Sequence, residues 1–161
     1  MLLLLIFTSE NGLFLQTIYH PFSLFSEHMQ ETALDVHVES EIYTLPPESE
    51  KSSWPHRVAD LGPFKLLDVT VTCDATEREL AIAVVNRDRE QAHTTTIQLT
   101  DEATITSAIA YEVNGASPDV VNSFAQPNAV TVWEQRLDLE GQSVQYTFPP
   151  HSFTVIRARI S

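Results

Sequence analysis

The sequence predicts a mainly β protein, an antiparallel β-sandwich preceded by one strand–helix unit. Three observations carry this. From Leu66 onward, apolar residues alternate with polar ones in short runs separated by turn formers, the signature of half-buried antiparallel strands. After Gln30 no segment shows helical periodicity. Within Leu13–Gln30, by contrast, an apolar β-rich run (Leu13, Phe14, Leu15, Thr17, Ile18, Tyr19) meets Pro21, beyond which Phe22, Phe25 and Met29 recur at helical spacing. A proline in the first turn of a helix costs nothing, because its missing N–H would have no partner there.

Taken in order, Leu2–Phe7 is apolar and reads either as a buried strand or as the core of a signal peptide. The strand is favoured, because no positive charge precedes the run, the run is short, and no small-residue cleavage site follows. Thr32–Leu45 alternates through Leu34, Val36, Val38 and Ile42 and is expected to form one half-buried strand. Pro46–Pro63 holds four prolines (Pro46, Pro47, Pro55, Pro63) and is expected to be a surface loop with Trp54 as its anchor. Leu67, Val69, Val71 and Cys73 alternate, as do Leu80, Ile82 and Val84. The stretch between them turns the chain into a hairpin. Further strands follow at Thr94–Thr100, at Ile105–Val113 before the Asn114-Gly115 turn, at Val130–Leu139, and at Val144, Tyr146 and Phe148. Past the rigid Pro149-Pro150-His151 corner, the last strand is apolar on both faces over its first half, as befits an internal position.

A chain of 161 residues with 43% hydrophobic content can bury a core without disulfides or metal. Nine basic against 22 acidic residues leave a formal charge of −13, which argues against nucleic acid and anionic membrane as partners. Cys73 is alone and reads as a small buried hydrophobe. No Asn-X-Ser/Thr acceptor occurs, which leaves the compartment open with a slight lean toward the cytoplasm.

The strings LQTIYHPFSLFSEHMQETALDV, AIAVVNRDRE, EVNGASPDVVNSFAQPNAV and FPPHSFTVI, in this order, resemble the C-terminal part of the family-51 glycoside hydrolases, the α-L-arabinofuranosidases. That resemblance implies a jelly-roll-type sandwich over 32–161. It implies that residues 1–31 are the residual last strand and helix of a (β/α)8 barrel whose other units lie outside this chain. The activity it implies for an intact parent is retaining hydrolysis of terminal non-reducing α-L-arabinofuranosides in arabinan and arabinoxylan. Retaining glycosidases need two carboxyl groups about 5–5.5 Å apart. In the resembled family both are glutamates on earlier barrel strands, so the isolated chain is expected to be inactive. The alternative is a stand-alone sandwich that binds carbohydrate or protein.

One substrate-site residue carries across from the resemblance. Gln16 matches the family glutamine at the end of the last barrel strand, where its amide would hydrogen-bond the arabinofuranosyl unit of an oligosaccharide in the intact parent. An amide offers donors and an acceptor to vicinal hydroxyls without charge; in the isolated chain the favoured reading is instead a buried glutamine bonded to neighbouring backbone. No catalytic residue is assigned. The six histidines are scattered, no metal or cofactor motif occurs, and His37, Glu39 and Glu41 are explained by a solvated polar face. Glu10 and Glu27 read as surface carboxylates. Trp54, Phe124 and Trp133 are candidate stacking aromatics or loop anchors, Asn86 and Asn122 turn formers. The apolar faces Leu13–Tyr19 and Phe22–Met29, without a barrel to cover them, are expected to expose a patch prone to homo-oligomer formation or other association.

Overall fold

A computed structural model describes residues 5–10, 12–44, 63–100 and 102–161. Its twelve strands and one helix run β1 (Ile6–Ser9), β2 (Gly12–Leu15), α1 (Tyr19–His28), β3 (Thr32–Leu34), β4 (Ile42–Tyr43), β5 (Phe64–Lys65), β6 (Leu67–Cys73), β7 (Glu79–Asn86), β8 (His93–Gln98), β9 (Ile105–Asn114), β10 (Thr131–Leu137), β11 (Ser143–Phe148) and β12 (Phe153–Ile160). The protein is therefore mainly β, an antiparallel sandwich preceded by a strand–helix unit.

Six strands form the main sheet in the order β10-β9-β12-β7-β6-β3, with all pairings antiparallel. The hairpins β6–β7 and β9–β10 flank β12. After β7 the chain crosses to the second layer for β8, returns for β9 and β10, crosses again for β11, and comes back as β12. In that layer β8 and β11 pair antiparallel from Ser143–Gln98 to Phe148–His93.

Strand alternation decides which side chains meet. Leu80, Ile82 and Val84 of β7, Ala108 and Ala110 of β9, and Ile156 and Ala158 of β12 face β11, whose Val144 and Phe148 complete the buried core. Ile97 and Tyr146 pack against it. The opposite face of the same strands carries Ala83, Val113 and Val155, and Leu24 of α1 covers them. Val155 and Ile156 are adjacent yet both essentially inaccessible, which is why the last strand reads as apolar on both sides. Cys73 is buried and free, as expected.

Two sequence expectations need correction. Thr32–Leu45 is not one strand. Only Thr32–Leu34 pairs, with Val71–Cys73, and Ile42–Tyr43 pairs with Phe64–Lys65. Between them Val36 and Val38 are half-buried, so the alternation survives without a partner strand among the described residues. The strand expected over Leu13–Tyr19 ends at Leu15, because Gln16 O accepts from Tyr19 N at 2.8 Å and the chain turns into the helix. Pro21 then falls in the first turn. The apolar Leu2–Phe7 run enters the described residues as β1, which pairs antiparallel with β2 as a hairpin outside the main sheet. The Pro46–Pro63 loop, Trp54 included, lies outside the described residues except for Pro63.

On α1 the residues turned to the sandwich are His20 and Leu24, four apart, while Phe22 and Phe25 are exposed and Met29 packs at the edge of the Leu24 cluster. Asn86 holds the layer crossings together. Only 1% exposed, it donates through Nδ2 to the carbonyls of Gln91 (3.0 Å), Phe148 (3.1 Å) and Pro149 (2.8 Å) and accepts from Asp88 N at 3.0 Å. One amide thereby fixes both the exit of β7 and the exit of β11.

Candidate functional site

Gln16 occupies the junction where β2 ends and α1 begins. Its backbone is held from both sides, N–H donating to Leu5 O at 2.9 Å and carbonyl accepting from Tyr19 N at 2.8 Å. The side chain is half-buried, and among the described residues its amide has no hydrogen-bond partner. The backbone-bonded amide expected for the isolated chain is not seen among the described residues.

The segment around Gln16 is clamped to the sandwich by Asn122. Buried to 5% exposure, its Nδ2 donates to Leu15 O and to Val130 O, both at 2.9 Å, and its Oδ1 accepts from Val130 N at 2.8 Å. An amide is required there, since the site presents two acceptors and one donor. Next to it Phe14 stacks on Phe7 with centroids 5.1 Å apart and meets Phe124 edge-on at 4.8 Å. Phe124 is therefore an anchor against the hairpin rather than a free platform, although half of it remains exposed. Trp133 is exposed on the edge strand β10 and makes no ring contact with the other aromatics among the described residues.

On the helical side, His20 is buried and its pKa is pushed down by that burial, partly offset by a hydrogen bond to the Val130 backbone. The ring is thus neutral near pH 7 and adds no charge beside Gln16. A crevice of about 530 Å³ opens between the start of α1 and the ends of β7 and β12, with Thr17, Ile18 and Pro21 on one wall and Val85, His151 and Phe153 on the other. The geometry presents an uncharged, half-buried amide just past the end of β2, one residue before Thr17, where the lining of the largely apolar crevice begins. It can bind hydroxyls, and it holds no acid–base pair.

The remaining candidates are dispersed. Glu27 accepts from Ser23 Oγ at 2.8 Å on the exposed helix face, and Glu10 lies exposed at the hairpin turn. His37 meets Glu39 at 3.1 Å in the open, without Glu41. Among the described residues no cluster of His, Cys, Asp or Glu has the arrangement of a metal site, and no helix is long and apolar enough to cross a membrane.

The profile of the α-L-arabinofuranosidase C-terminal domain family matches residues 3–152. The chain belongs to this family. Among curated relatives, the probable α-L-arabinofuranosidase C of Aspergillus clavatus is 30% identical over 151 residues, covering 93% of this chain and 27% of the relative. The protein of the same description from Aspergillus niger is 31% identical over 158 residues, covering 96% of this chain and 28% of the relative. Among solved structures, the α-L-arabinofuranosidase of Thermotoga maritima, described as an arabinose complex, superimposes with a TM-score of 0.78 at 26% identity over 96% of this chain and 31% of that one. The chain thus spans between a quarter and a third of the length of these three relatives. An arabinofuranosidase C-terminal domain is what the sandwich, with its strand–helix lead-in, amounts to.

Asn86 and Asn122 were legible only as turn formers, since nothing local in the sequence points to carbonyls many residues away. Leu24 had no signal distinguishing it from Phe22 and Phe25, which satisfy the same helical spacing.

Proposed function

We propose that this chain is the C-terminal part of an α-L-arabinofuranosidase that removes terminal non-reducing α-L-arabinofuranosyl groups from arabinan or arabinoxylan with retention, and that it does not cleave glycosides alone. The observation that supports this most directly is the unengaged amide of Gln16 at the end of β2, in a chain whose family match runs from residue 3 to residue 152. In this reading Gln16 is a sugar-binding residue. Its amide accepts from one ring hydroxyl and donates to another, orienting the terminal arabinofuranosyl unit of the oligosaccharide. Asn122 acts through Leu15 as a positioning residue.

Hydrolysis with retention needs a nucleophilic carboxylate and an acid/base carboxyl about 5–5.5 Å apart. Neither role falls on a residue of this chain, so bond cleavage belongs to the preceding barrel of the longer polypeptide. Residues 1–31 supply that barrel's last strand and helix, and residues 32–161 form the sandwich behind it. Leu13, Ile18, Phe22 and Phe25, all more than a third exposed, form the surface that the barrel covers in the parent. In the free chain the same surface drives self-association.

The purified chain should show no turnover of an aryl α-L-arabinofuranoside, and turnover would overturn the reading. In the parent enzyme, Gln16→Ala should lower kcat/KM by about tenfold or more, the loss expected when a hydrogen bond to a bound hydroxyl is removed.

A further inference from the structure

The outer face of the main sheet is only half covered by α1. Beyond His28, where the helix ends, a trough of about 670 Å³ runs across β7, β12, β9 and β10. One wall is the His28 ring stacked on Tyr111, with centroids 4.0 Å apart. Three arginines lie along the trough. Arg157 is fixed by an ion pair with Glu79 and by donating to His28 O at 3.2 Å. Arg159 stands 3.7 Å from the same Glu79 carboxylate and is largely exposed. Arg136 is exposed and forms no ion pair among the described residues.

Charge distinguishes this place from the rest of the molecule. The chain carries 22 acidic and nine basic residues, yet the trough sets three guanidinium groups against Glu79, Asp138 and Glu140. It is therefore locally balanced on a strongly anionic protein. None of the large exposed apolar residues lines it, so it lacks the anchor that a protein partner would seat. What it offers is a concave surface of planar donors and acceptors, in a volume within the roughly 300–1,000 Å³ of small-molecule sites. Guanidinium and carboxylate groups hydrogen-bond vicinal hydroxyls in pairs, and a surface with no net charge favours an uncharged ligand.

We propose that this trough binds a neutral oligosaccharide at a site separate from Gln16. The ten residues of α1 separate the two, about 15 Å of helix. The trough holds glycan without cleaving it, adding a second point of attachment on the sandwich.

The test is calorimetric titration of the full chain with arabino-oligosaccharides, xylo-oligosaccharides and, as the anionic arm, oligogalacturonates. Arg136→Ala and Arg159→Ala are chosen because both side chains are exposed, so their far-UV spectra and melting points should match the parent chain. Saturable binding of a neutral oligosaccharide is expected. Each arginine variant should weaken it by about tenfold, the loss of a charged hydrogen-bond donor, while Asn128→Ala, exposed and outside the trough, leaves it unchanged. Absence of saturable binding, binding that survives both arginine variants, binding lost equally in Asn128→Ala, or a preference for oligogalacturonate would each overturn the proposal.

Discussion

Replacing Asn122 by alanine should release the Gln16 segment from the sandwich, and the cost can be worked from the contacts. The side chain makes three hydrogen bonds of 2.8–2.9 Å, to Leu15 O, to Val130 O and from Val130 N, and it is 5% exposed. Alanine removes all three and leaves their backbone partners in a site closed to solvent, Val130 being 2% exposed. At about 1 kcal/mol for each bond the loss is about 3 kcal/mol. That is a large share of the roughly 5–15 kcal/mol that holds a domain together. For a domain of this size it corresponds to a fall in Tm of about 6–12 °C. Urea unfolding followed by circular dichroism measures it, with Asn128→Ala as the control, since that residue lies exposed in the same loop and should change stability by no more than about 0.5 kcal/mol. Asn122→Asp should be worse than alanine at pH 7 and recover partly toward pH 4, because a carboxylate would face two carbonyl oxygens and be forced to take a proton. An Asn122→Ala chain as stable as Asn128→Ala would refute the clamp.

Other outcomes follow from the same contacts. Leu24→Ala should cost about 3 kcal/mol, since it empties the contact with Ala83, Val113 and Val155 that seats α1, whereas Phe22→Ala should be close to neutral in the free chain because its ring is exposed; equal effects in urea unfolding would contradict the helix orientation. Asp74 accepts from the Thr76 hydroxyl and from the N–H groups of Glu79 and Arg78, both at 2.8 Å, and these bonds hold its carboxyl well below the usual carboxylate range. With the folded value below the unfolded one of about 3.9, its contribution is present above that pH and is lost as pH falls toward the folded value. Asp74→Asn should therefore flatten the acid limb of a stability-versus-pH curve below about pH 4, and an unchanged limb would show that the turn contributes nothing to acid sensitivity.

The parts of the fold legible in the sequence are the strands. β6 and β11 announce themselves through alternation, Val69 and Val144 each separated from the next inward residue by an outward one, and β12 through apolar residues on both faces, Val155 toward α1 and Ile156 toward the second layer. Pairing is a different kind of information. Val36 and Val38 alternate as well as any strand does, but among the described residues no neighbouring strand meets them, so alternation there produces half-buried coil. Helix orientation was ambiguous for a similar reason, because Phe22, Phe25 and Met29 satisfy helical spacing as fully as His20 and Leu24 do. What decides is the groove between Ala83, Val113 and Val155, which accepts one branched leucine. The candidate site divides along the same line. Gln16 enters only through the resemblance to a family glutamine, and the apolar pattern, which runs on to Tyr19, does not mark the end of β2 at Leu15. The asparagine that holds it bonds to a carbonyl 107 positions away, a separation that no local reading reaches.

The placement of β12 also constrains how the molecule can be made. Its partners β7 and β9 are finished long before residue 153 is synthesised, yet neither can be satisfied along its inner edge until Phe153–Ile160 arrives to bridge them. As the chain leaves the ribosome, the β6–β7 and β9–β10 hairpins must wait side by side with open edges, the condition in which nascent chains are captured by the wrong neighbour. A stop in place of residue 153 would remove the strip that joins the two halves, so the expected product is two orphaned hairpins rather than a slightly shortened domain.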